Sequence, residues 1–358
     1  MADPDTTETT SKDGFSLLSL FRRPEAGAAA GFILIFVFFS YFGWEKNFLT
    51  PLGSSTWLNF ASKVGIIAIP VGFLMIAGEL DISVGAMIPA GGIVLAMSVG
   101  LYEMNIWVGV IISLAICAGF GFINGMLVTR TNVPSLIVTL ATLFVIAGLN
   151  AYVSKQLAGT TQHSLADVGV VSEFIMGDYH SLILGDGDSK FTIFRSLQSS
   201  FFIWLIFAIV CGYILHVSPW GNWIFAMGGD QESARNAGIP TNRLKIALFM
   251  LSAMAAGLVG MTEAVLANTA STTTQFGMIF NSIICVVVGG VLLTGGFGTV
   301  TGTVFGTLTF GIVFQGINFT TFDKDLNMLF IGVLLLVAVL MNDSFRNWAT
   351  SASTSKKK

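Results

Sequence analysis

Two carboxylates, Glu79 and Asp81, lie one residue apart in the run Ala77-Gly78-Glu79-Leu80-Asp81-Ile82-Ser83-Val84-Gly85, with long apolar stretches on both sides. An acid at the centre of a bilayer costs about 2.5–3.5 kcal/mol on insertion scales, and two in one span would cost about twice that. The pair therefore belongs at a break between spans, facing water or a polar path. Asp81 is placed to cap a helix that starts near Ser83, accepting hydrogen bonds from its free backbone N–H groups. The other polar residues inside apolar runs are few: Asn124, Asn150, Glu263, Asn281 with Ser282 beside it, Gln315 and Asn318. A hydrogen bond between helices would explain any one of them. As a set, with Glu79, Asp81 and Ser83, they suit a path for a neutral, hydroxyl-rich solute, which needs donors and acceptors rather than fixed ion pairs. With Lys63 and Lys245 counted at the loop ends of their spans, no Arg or Lys is expected inside the membrane, which argues against a solute held as an organic anion.

Little else in the chain could do chemistry. Cys117, Cys211 and Cys285 lie far apart in apolar runs and read as small core residues. His163, His180 and His216 have no Cys or carboxylate at metal-ligand spacing. No catalytic residue or metal site is expected. No GxxxxGK[ST] segment occurs, so the chain has no nucleotide-binding loop of that kind.

The elements that position these residues are membrane spans. Of the 358 residues, 54% are hydrophobic and only 10% charged, and mean hydropathy is +0.80. A soluble domain carries about 25% charged residues. The fold class expected is an all-α polytopic membrane protein. About ten spans can be drawn, near 26–43, 61–78, 83–101, 104–128, 134–153, 199–217, 245–266, 280–295, 299–318 and 326–342. The third and eighth are short or Gly-rich and are candidates for broken helices. With the N-terminus inside, eleven of the 17 Lys and Arg fall on inner segments, which favours two cytoplasmic termini and an even number of spans. Residues 1–25 form a polar tail, 26–342 the membrane domain and 343–358 a second cytoplasmic tail, in which Lys356, Lys357 and Lys358 mark the inner end. The net charge of −3 gives no reason to expect a nucleic-acid partner.

Two connections are long. The outer one, about 154–198, is rich in Gly, Asp and Ser; the inner one, 218–244, carries Asp230-Gln231-Glu232-Ser233-Ala234-Arg235-Asn236-Ala237. The latter reads as a short helix capped by Asp230 and stopped at Gly238, with Pro240 after it. Gly298, Gly302 and Gly306 recur every fourth residue, and Gly121 and Gly125 make a second pair, as glycines do where membrane helices pack closely.

Four ordered stretches together resemble the membrane permease subunit of bacterial sugar-importing ABC transporters of the ribose and xylose type. They are Gly78–Gly85, VPSLIVTLATL at 134–144, AMGGDQESARNAGI at 226–239 and VVVGGVLLTGGFGTVTGTVFGTL at 286–308. The likeness runs over about residues 30 to 342. Three departures stand out: Glu79 replaces a small residue, Ile279–Ile284 lacks the acid that the family tends to carry there, and the outer connection is longer than the resemblance leads one to expect.

The resemblance implies a transport subunit that is not itself an enzyme and has no cofactor of its own. It would be a multi-pass protein of the bacterial inner membrane, held in membrane lipid. ATP would be used by an ABC ATPase subunit. A periplasmic solute-binding protein and a second permease copy, in a homodimer or with a sister subunit, would complete the importer. It also implies that Gly78–Gly85 lines or gates the path, and that the helix at 230–237 docks on the ATPase. Glu232 and Arg235 would be its polar contacts, and Gly238 and Ile239 its stop and anchor. A sugar or polyol is the solute implied. Permeases for nucleosides or branched-chain amino acids, and secondary transporters, are the alternatives. The solute, the pairing of subunits and the role of Glu79 are not determined by the sequence.

Overall fold

A computed structural model describes residues 24–165 and 197–337. The expected tails lie almost wholly outside these, as does most of the outer connection. The described chain is helical apart from one short ladder. Its helices are α1 (Pro24–Phe42), α2 (Pro51–Ile76), α3 (Val84–Ala96), α4 (Ile106–Arg130), α5 (Ser135–Ala158), α6 (Ser199–His216), α7 (Pro219–Gly229), α8 (Gln231–Asn236), α9 (Thr241–Ala267), α10 (Phe276–Val288) and α11 (Val300–Gly316). A further helix, α12, begins at 327 and runs to the edge of the described residues. Among the described residues, eight helices are long and apolar enough to cross a membrane. The short α10, and α12 as far as it is described, stand where the remaining two spans were expected.

The structure moves several boundaries. The second span begins at Pro51, not near 61, with Thr50 capping it and Pro51 in the first turn, where a missing N–H costs nothing. The third span is not broken: α3 runs on through a π-turn, Met97–Leu101. The eighth is cut short. α10 has 13 residues, which at 1.5 Å each reach about 20 Å of a hydrocarbon core about 30 Å thick. Irregular backbone follows, with Gly290, Gly295, Gly296 and Gly298 at positive φ. The outer connection begins later than expected, because α5 reaches Ala158. Within the inner segment, Pro219–Gly229 is itself a helix.

α2 and α9 form the centre. α9 crosses α3 and α4 on small residues. A Cβ at Gly91 would lie 2.6 Å from the Gly257 Cα, and one at Gly121 or Gly125 would lie 2.6 Å from the Cα of Met250 or Ile246. Only glycine lets backbones approach this closely. Gly302 and Gly306 face Gly289 and Cys285 of α10, and Gly298 meets Ile76 and Val291. The three cysteines are buried and unpaired, Cys117 lying against Gly257. α4, α5 and α6 keep apolar outer faces such as Ile111, Phe144 and Ile209 exposed, as a lipid-facing surface requires. At one end of the bundle, β1 (Gln162–Ser164) pairs antiparallel with β2 (Thr269–Ser271), tying the end of α5 to the end of α9.

Candidate functional site

Stretches far apart in sequence meet at the other end of the bundle. α2 ends at Ile76, and Ala77–Ser83 runs without helix before α3. Gly78 takes φ +82, a conformation that L side chains rarely adopt. Gly296 N–H donates to the Ile76 carbonyl at 2.7 Å. A Cβ at Gly295 would lie 2.9 Å from the Gly228 carbonyl oxygen and 3.1 Å from the Gly78 Cα. The break, the end of α7 and the glycines after α10 therefore share one close contact. α5 joins them through hydroxyls. Leu80 N–H donates to Ser135 Oγ and Ile82 N–H to Thr139 Oγ1, each at 3.1 Å. Backbone without helix inside a membrane protein needs partners of this kind, since no lipid can supply them.

Asp81, Ser83 and Asn124 form one buried network. Asp81 Oδ1 accepts from Ser83 N–H at 2.9 Å and from Ser83 Oγ at 2.6 Å, and Asn124 Nδ2 donates to Ser83 Oγ at 2.9 Å. Asp81 does bond the start of the helix as expected, but from two residues before it; Ser83 occupies the cap position. Asp81 is 1% exposed, and Ser83 and Asn124 are fully buried. In this conformation they close the break against α4 and line no open channel. Asp81 Oδ2, Asn124 Oδ1 and, on α9, Ser252 Oγ are buried there without a close hydrogen-bond partner among the described residues, Ser252 facing Asp81. Asn281 and Ser282, on α10, lie apart from this network. Ser282 is buried and bonds back to the Ile279 carbonyl, and Asn281 is half-buried.

Glu79 turns away from Asp81 and forms an ion pair with Lys245 of α9. Lys245 Nζ also donates to Gln231 Oε1 at 2.8 Å. The side chains of Lys245 and Glu79 are only 6% and 11% exposed. Gln231 is the first residue of α8, so the three side chains join the break, α8 and α9. This corrects the expectation that no basic side chain lies within the spans. Lys245 is buried near the start of α9, and Lys63 sits halfway along α2. One signal in the sequence could have marked the pair: an acid at the end of one apolar run and a Lys at the start of another, neither with an opposite charge near it in sequence.

α8 has the expected form. Asp230 caps it, accepting from Ser233 N–H at 2.7 Å, and Gly238 follows it at φ +86. That backbone hydrogen bond holds the Asp230 carboxyl below the usual carboxylate range. Ala234 is buried, Glu232 and Arg235 are exposed, and Ile239 is half-buried. A groove of about 210 Å³ runs beside the helix, lined by Arg235, Ile239, Pro240, Thr241, Asn242 and Arg243.

Comparison with known proteins fits this architecture. Residues 53–339 match the family described as branched-chain amino acid transport system / permease component. The L-arabinose ABC transporter permease protein AraH of Azospirillum brasilense is 30% identical over 303 residues, covering 84% of this chain and 83% of that one. The ribose import permease protein RbsC of Escherichia coli strain K12 is 28% identical, covering 84% and 88%. The fructose import permease protein FrcC of Rhizobium meliloti is 28% identical, covering 82% and 78%. No solved structure matches the chain. The family match spans most of the membrane domain and all four converging stretches, so the chain belongs to this family and is a multi-pass permease component of the sugar-importing ABC type.

Proposed function

We propose that the chain forms the translocation path of an ATP-driven importer for a neutral, hydroxyl-rich solute, a sugar or polyol, in the bacterial inner membrane. A separate ABC ATPase subunit supplies ATP hydrolysis, a periplasmic binding protein delivers the solute, and a second permease copy completes the pore. The observation that carries this reading is the attachment of α8. The helix is short and exposes Glu232 and Arg235, yet Gln231 ties it to Lys245 and, through the ion pair, to the break beside Asp81. A push on α8 from the cytoplasmic side reaches the membrane break through three side chains. The neighbouring groove carries Arg235 and Arg243 and suits an acidic side chain of the ATPase. Ile239 anchors the turn into α9, and Gly238 supplies its left-handed residue.

Arg235→Glu tests the coupling assignment. The variant is expected to insert normally while losing ATPase co-purification and solute uptake. Wild-type uptake in that variant would remove α8 from the ATPase interface.

A further inference from the structure

The end of the bundle opposite α8 holds a polar cavity of about 300 Å³. Glu263, one of its lining residues, lies about 27 Å along α9 from Lys245 at 1.5 Å per residue. Asn59 and Lys63 reach it from one face of α2, Gln315 from the end of α11 and Gln198 from the residue before α6. Phe60 forms a wall, its ring stacked on Phe314 at 4.3 Å between centroids and 4° between planes. Lys63 and Glu263 act on one another electrostatically but make no ion pair. Gln198 Oε1 is buried without a hydrogen-bond partner among the described residues.

The geometry points to this cavity as the solute-recognition site, taking a neutral polyhydroxyl ring of monosaccharide size. The inference rests on the proposed import function and deepens it. A hydroxyl both donates and accepts, so neighbouring hydroxyls answer Glu263, Lys63 and the unpartnered Gln198 Oε1 together, beside Asn59, whose Oδ1 already accepts from Gln198 N–H at 2.9 Å. A solute of net charge answers only one of Lys63 and Glu263 and leaves the other unanswered. An apolar solute leaves both unpaired, which is costly in a partly dehydrated site. The fixed ring of Phe60 offers a flat face to the C–H side of a sugar. The volume is at the small end of the range of about 300–1,000 Å³ for ligand pockets, which favours one ring over several. An amino acid zwitterion would also match the two charges. The lining favours the polyol, because apart from Phe60 and Met278 its residues are polar, and Gln198 Oε1 among them needs a donor that an apolar side chain lacks.

The test uses the full importer, permease with its ATPase and binding protein, in proteoliposomes, with radiolabelled D-ribose, L-arabinose and D-fructose as probes. Lys63→Met and Glu263→Gln should each cut uptake of the carried sugar by about tenfold or more, as loss of a hydrogen bond to a charged group does. The ATPase should still co-purify. Removing one charge should also change selectivity. Glu263→Gln leaves a positive site, so the aldonate of the carried sugar should become an inhibitor. Lys63→Met leaves a negative one, so the amino sugar should. Misfolding cannot produce either gain, and if one variant fails to assemble the other carries the test with the opposite sign. Wild-type uptake and unchanged inhibition in assembled variants would overturn the site while leaving the import function standing. A wild-type importer that carries leucine and none of the sugars would overturn both.

Discussion

Replacing Glu79 with Gln removes the counter-charge of Lys245 while keeping the size of the side chain. The pair is 6% and 11% exposed, so the range of about 0–1 kcal/mol for surface ion pairs does not apply. Breaking a buried pair from one side costs about 3–5 kcal/mol, because the remaining charge stays buried without compensation. Gln231 still accepts from Lys245 Nζ at 2.8 Å, which sets the expected loss at the low end, about 3 kcal/mol. Lys245→Met strands Glu79 in the same way. The double variant, Glu79→Gln with Lys245→Met, strands neither charge and should be more stable than either single variant, giving a coupling of about 2–3 kcal/mol. The three buried thiols, Cys117, Cys211 and Cys285, supply the assay. A maleimide dye labels them only on unfolding, so denaturant curves of the purified protein in micelles report each stability. Single effects that add to the double within about 0.5 kcal/mol would refute the ion-pair argument, as would a Glu79→Gln variant as stable as the wild type.

Two further outcomes follow from packing and capping. Gly121→Val should destabilise by about 1–3 kcal/mol through overpacking against α9, whereas Gly148→Ala, with nothing near its Cβ, should be neutral or gain up to about 1 kcal/mol from helix propensity; the same thiol curves separate them. The folded Asp230 carboxyl lies below its ordinary value, so its capping contribution is full above the normal carboxylate range and is lost as pH falls through the lowered folded value. The protection of α8 amides against exchange, relative to the unfolded chain at the same pH, should therefore fall in acid, and Asp230→Asn should remove that dependence; acid-insensitive protection in the wild type would count against the cap.

Much of the architecture was legible in the chain. Apolar runs of span length fixed the helices, because a bilayer leaves backbone polar groups no other partner. The cost of buried charge put Glu79 and Asp81 at a break, and local capping chemistry marked α8. Glycine spacing marked α4 and α11 as close-packing surfaces, though not the partners they would meet. The same residues could not reveal the cavity. Thr56, Asn59 and Lys63 recur at helical spacing on α2, but with the span drawn from 61 they fell at or outside its edge. Their face meets the rest of the lining only when Glu263 of α9, Gln315 of α11 and Gln198, just before α6, arrive beside it.

The sequence alone determined that this is a membrane protein with a two-acid break and a capped helix between its spans, because those features rest on local costs: burial of charge, unsatisfied N–H groups and the reach of 20 apolar residues. Only the tertiary structure decided which groups answer one another. Glu79 pairs with Lys245, Asp81 with Ser83, Ser83 with Asn124, and Gly295 meets Gly78 and Gly228. Charges and hydrogen bonds act over a few ångströms, and helix packing, not sequence distance, sets which side chains come within that reach.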